Sequence, residues 1–63
     1  MIKLPTTRAK NYHNWSTSTL RVYPRSEGKF DLEWLDESGG IKRAMFGKTA
    51  AYVRSIMRQG GWS

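Results

Sequence analysis

Between Lys29 and Leu35 the side chains alternate: Phe30, Leu32 and Trp34 take every second place, with Asp31 and Glu33 between them. A period of two puts the three apolar groups on one face of a strand and the two carboxylates on the other. Such a strand needs neighbours to pair with and a second layer to cover its apolar face. With 63 residues there is room for one domain, and a chain this short buries only about 60% of its unfolded surface. No cysteine is present to add a disulfide or a thiolate metal site. The core must therefore be thin and rich in rings. Trp15, Trp34, Trp62, Tyr12, Tyr23, Tyr52, Phe30 and Phe46 are the means of filling it, each able to bury roughly 150–250 Å².

The flanking sequence supplies the partners. From Thr17 to Tyr23 a β-rich run sets Leu20 and Val22 on one face and Thr19, Arg21 and Tyr23 on the other, and Pro24 ends it. Ser26, Glu27 and Gly28 form a turn into the central strand. Asp36 to Gly40 has hairpin composition and leads into a third strand, Ile41 to Phe46. Gly47 and Lys48 break that strand, and Thr49 is placed to cap a helix. On a 100° wheel Ala50, Tyr52, Val53, Ile56 and Met57 form one arc, with Lys48, Arg54, Ser55, Arg58 and Gln59 opposite. Gly60 stops the helix and Trp62 is placed to fold back onto the core. The first dozen residues show no periodicity and read as an extended arm opening with a short strand at Ile2 to Leu4. The expected fold is α+β: a three-stranded antiparallel sheet packed against one C-terminal amphipathic helix. Residues 1–14 form a basic extended arm, and residues 15–63 a single β-β-β-α domain with Trp15 in its core.

Charge is unevenly spread. Eleven Lys and Arg face five Asp and Glu, a net charge of +6. Residues 1–26 and 38–63 hold bases and no acid, and all five carboxylates lie between them with Lys29. Net positive charge favours polyanionic partners. No apolar run approaches the roughly 20 residues of a membrane span, and the N-terminus has no signal-peptide core. A cytoplasmic protein that is a monomer or a weak edge-to-edge dimer is expected.

Catalytic groupings are missing from the pattern. His13 is the lone histidine, so no metal site and no cofactor is expected. Asp31 and Glu33 share a strand face, the spacing of an acid and base pair, but so small a sheet has no cleft to hold them. Cross-strand pairing of these acids to Arg21 and to Lys42 or Arg43 is the favoured reading. The serines have no base beside them, and the glycine pairs match no phosphate loop. The chain is not expected to be an enzyme.

Binding is better founded. Arg54 and Arg58 stand one turn apart on the polar side of a helix without a single acid, and can present two forks to successive phosphates; the competing reading is an ordinary solvated face. Arg8 and Lys10, followed by Tyr12, His13, Asn14 and Trp15, mix charge with rings as single-strand and minor-groove binders do.

Trp15, the strand Leu20 to Tyr23, Gly40 before Lys42 and Arg43, and the helix entry Phe46-Gly47-Lys48-Thr49-Ala50 together resemble the small DNA-binding domains of the AP2 type and the arm-binding domains of phage-type integrases, over residues 15–59. The resemblance implies that an exposed sheet face reads the major groove, with base contacts from Arg21 and from Lys42 or Arg43. The sequence departs from it at Asp31 and Glu33, which repel phosphate. The footprint is therefore expected on the helix arginines, Lys48, the loop of Arg25 and Lys29, and the arm. Nucleic acid, DNA rather than RNA, is the expected partner, bound by an accessory or regulatory factor of a phage or mobile element. The alternative is an interaction module gripping a protein through Asp31 and Glu33, an exposed strand edge or the Trp62 tail.

Overall fold

A computed structural model describes residues 3–63. It contains strands β1 (Lys10–His13), β2 (Thr19–Pro24), β3 (Lys29–Leu35) and β4 (Ile41–Thr49), followed by helix α1 (Ala50–Gly60). A single helical turn at Ser26–Gly28 joins β2 to β3. The four strands form an antiparallel sheet in chain order, β1-β2-β3-β4. Every connection is thus local.

The three expected strands and the helix are present, and the sheet has one strand more. Strand β1 lies within the stretch expected to be an extended arm, pairing Lys10 with Val22 and Tyr12 with Leu20. Tyr12 is buried and its hydroxyl donates to the Lys3 carbonyl at 2.9 Å. Leu4 is also buried and joins the core, though neither Lys3 nor Leu4 is in a strand; Ile2 lies outside the described residues. A run of four mostly polar residues offers no alternation to read, because its only buried side chain is Tyr12.

The core forms on one side of the sheet. Leu20 and Val22 from β2, Leu32 from β3, and Val53 and Met57 from α1 have no exposed surface, and Phe30, Tyr12, Leu4 and Trp62 close the cluster. Burying one such aliphatic side chain contributes about 1.5–3 kcal/mol. The period of two in β3 and the helical arc meet here as their patterns require.

Strand β4 runs three residues beyond Phe46, through Gly47 to Thr49. Leu32 pairs with Met45 and Phe30 with Lys48, so Asp31 stands opposite both Phe46 and Gly47 in a bulge. Gly47 takes φ +65° there, a left-handed conformation open to glycine, and the glycine kinks the strand without ending it. Thr49 caps α1 as expected, its hydroxyl accepting from the Tyr52 amide at 3.2 Å. Such a cap is worth about 1 kcal/mol.

The helix stops in a left-handed residue at Gly61 (φ +68°), one position beyond the expected stop. The Trp62 amide reaches the Met57 carbonyl at 2.8 Å and the Gly61 amide reaches Arg58 at 3.4 Å, the bond pair of a Schellman motif. This reversal drives Trp62 into the core and lets Ser63 exchange both backbone bonds with His13, at 2.9 and 2.8 Å. Trp15 is not in the core: it is 80% exposed. The Asn14 side chain holds the following turn, accepting from the Ser16 amide and hydroxyl and donating to the Gly60 carbonyl. Trp15 is left lying outside, on the Gly61 backbone.

Candidate nucleic-acid interface

The sheet has two unlike surfaces. On the side away from the helix, register sets Arg21 opposite Glu33 and Tyr23 opposite Asp31. Asn11 accepts from Arg21 Nε at 3.1 Å, Arg21 Nη1 donates to the Tyr23 hydroxyl at 3.2 Å, and that hydroxyl donates to Glu33 Oε1 at 2.7 Å. Arg21 also pairs with Glu33 at 3.9 Å. The Tyr23 hydroxyl, and behind it Glu33, hold the Arg21 guanidinium more firmly in its charged form. Asp31 accepts from the Gly47 amide at 3.0 Å and from Arg25 Nε at 2.6 Å. The Gly47 amide first, and then Arg25, keep its carboxyl below the ordinary carboxylate range. Both sheet acids are therefore satisfied within the chain.

One half of the expected pairing differs. Arg21 reaches Glu33, but Asp31 is paired by Arg25, not by Lys42 or Arg43. The bulge sets Asp31 against Phe46 and Gly47, Lys42 Nζ donates to Ser18 Oγ at 3.2 Å, and Arg43 stands opposite Trp34, whose alternation sends it to the helix side.

On that helix side a cleft of about 420 Å³ opens between α1 and strands β3 and β4. Trp34, Arg43 and Met45 form one wall; Tyr52, Ile56 and Gln59 form the other, with Gly60 and Trp62 at one end. Tyr52, Ile56 and Gln59 recur at helical spacing along the flank of α1 that faces β4. The Arg43 guanidinium lies 5.1 Å from the Trp34 ring centre, and Lys48 Nζ lies 4.9 Å from the Tyr52 ring centre, within the range of cation–π attraction. The Tyr52 hydroxyl reaches Met45 Sδ at 3.9 Å. Among the described residues no carboxylate lines the cleft.

The expected binding residues are thus distributed among several places. Arg43 lines the cleft, and Lys48 lies over the ring of Tyr52, a residue of its wall. Arg54 and Arg58 stand on the opposite flank of α1, as the 100° wheel requires. Arg58 is exposed, while Arg54 is partly covered and its Nε is buried without a hydrogen-bond partner among the described residues. Lys10 sits at the β1 edge, 5.4 Å from the Tyr12 ring centre. Arg8 and Lys29 are exposed, and Arg21, Arg25 and Lys42 are engaged on or beside the open face.

Trp34, Tyr52 and Gln59 were not legible as site residues. Periodicity assigned both rings to the apolar face, and their position at its margin follows from where the helix crosses the sheet. The cross-strand pairing of Trp34 with Arg43 depends in turn on the irregular register of β4. Among the described residues no group of three or more His, Cys, Asp or Glu is gathered to hold a metal, and no helix is long and apolar enough to cross a membrane. Compared with protein-family models, with curated proteins and with solved structures, the chain shows no match.

Proposed function

We propose that this chain is a small nucleic-acid-binding domain without catalytic activity, with DNA as its ligand, held by cations on both flanks of α1. One observation carries the reading. The acids that weakened the positive sheet are consumed internally by Arg21, Tyr23, Arg25 and Gly47, whereas Arg43, Lys48, Arg54 and Arg58 have no carboxylate partner among the described residues. A cation with no carboxylate partner breaks no ion pair when it meets a phosphate, and binding through such contacts weakens linearly with log salt. Titration of single- and double-stranded oligonucleotides across salt concentrations tests this. A steep loss of affinity with salt is expected, and absence of binding at low salt overturns the reading.

A second reading, capture of a partner protein, has its own support in β4. This nine-residue strand is an edge of the sheet and leaves Ile41 and Phe46 exposed, which suits addition of an extended segment. Asp31 and Glu33 are weaker anchors for such a partner, since both already accept internal bonds. A pull-down that survives nuclease treatment and is lost on changing Ile41 and Phe46 to serine favours this second reading.

A further inference from the structure

We propose that the cleft between α1 and β4 receives an unpaired nucleobase, so that the ligand is a single strand; this rests on the nucleic-acid reading given above. Three features of the cleft point to a base. Trp34 and Tyr52 stand in its two walls, and Tyr52 is 41% exposed although it belongs to the apolar arc of the helix. Each ring carries a cation, Arg43 on Trp34 and Lys48 on Tyr52. Gln59 stands in the same wall as Tyr52; its Nε2 donates to Ser55 Oγ at 3.4 Å, and its Oε1 is an acceptor.

An aromatic platform flanked by cations, with no carboxylate beside it among the described residues, is complementary to a base attached to a phosphate. A purely apolar occupant would leave the charge of Arg43 and Lys48 uncompensated. In the free protein the cations cover the rings. On binding, a base takes the ring face, the displaced Arg43 or Lys48 turns to the adjoining phosphate, and the Gln59 amide bonds to the base edge. A duplex keeps its bases stacked and paired, and so offers the cleft nothing beyond phosphate.

The test compares three probes of equal length by fluorescence anisotropy: a single-stranded oligodeoxynucleotide, the same strand with abasic sugars throughout, and the duplex. The single strand should bind roughly tenfold to a hundredfold more tightly than the abasic strand, the effect of about one stacked base, and more tightly than the duplex at equal salt. Tyr52→Ala should remove most of the difference between the native and abasic strands, with Tyr52→Phe retaining it. Tyr52 is partly exposed, and an unchanged thermal transition shows that the variant folds. Equal affinity for native and abasic strands, with the salt dependence intact, overturns the base site and leaves the phosphate reading standing. Failure to bind any of the three at low salt overturns both. Binding of an acidic extended peptide in place of every oligonucleotide also overturns both, and moves the cleft to the strand-addition reading.

Discussion

The two faces of the sheet carry similar kinds of residue and put them to different use. The open face holds Arg21, Arg25, Tyr23, Asp31 and Glu33, and nearly every polar end is spoken for by another of the set. The helix side holds Arg43 and Lys48 beside Trp34 and Tyr52, with no acid among the described residues near enough to pair with them. Both faces look basic and aromatic by composition. What separates them is whether the cations already have carboxylate partners, because an ion-paired charge must give up that pairing before it can bind another anion.

The most severe way to break the comparison is to open the core that holds the helix on the sheet. Leu32→Ala should cost about 2–5 kcal/mol, most of the stability expected for a domain of this size, and chemical denaturation should show it. Arg43→Glu combined with Lys48→Glu should weaken oligonucleotide binding about tenfold or more at low salt, with little change in the thermal midpoint; an unchanged affinity would remove the cleft from the interface. Asp31→Asn acts on the opposite face. Loss of the charged acceptor for Gly47 and Arg25 should lower Tm by about 4–8 °C, the equivalent of about 1 kcal/mol, while affinity stays the same or rises as Arg25 is freed.

Acid sharpens the same contrast. The carboxyls of Asp31 and of Asp36 are held below their ordinary value of 3.8, Asp31 by Gly47 and then Arg25, Asp36 by the Ser38 hydroxyl and then the Gly40 amide. The unfolded chain then takes up protons at higher pH than the folded one. This part of the stability is present above the ordinary carboxylate range and is lost as pH falls through 3.8 and below. Acid titration of the folded fraction should show that limb, and it should flatten in Asp31→Asn. The smallest effect is expected from Arg58→Ala. It should reduce the salt slope by about one contact and shift stability by no more than about 0.5 kcal/mol, since Arg58 is exposed and unpaired among the described residues.

Much of the scaffold was legible in the chain. The alternation of Phe30, Leu32 and Trp34, the alternation of Leu20 and Val22, and the arc through Val53 and Met57 each carry a period that only one local structure satisfies. Thr49 and the terminal glycines mark the helix ends by their own chemistry. Strand β1 was hidden because its pairing partner lies in β2 and its own four residues hold one apolar side chain facing the core. Trp15 and Trp62 show the same limit from the other side. As residues they are equivalent, yet the Schellman reversal buries Trp62 while the Asn14 turn strands Trp15 in solvent.

By itself, then, the sequence determined the α+β class, the apolar faces and the surplus of positive charge, because these depend on residue type and spacing along the chain. Only the tertiary structure decided which cations are paired with carboxylates and which are not. That depends on a bulge at Gly47 that sets Asp31 against the Gly47 amide, on a register that lays Arg43 over Trp34, and on a helix crossing that leaves Tyr52 beside a cleft. Each is a contact between residues far apart in sequence or offset by one place in register, and neither composition nor periodicity carries that information.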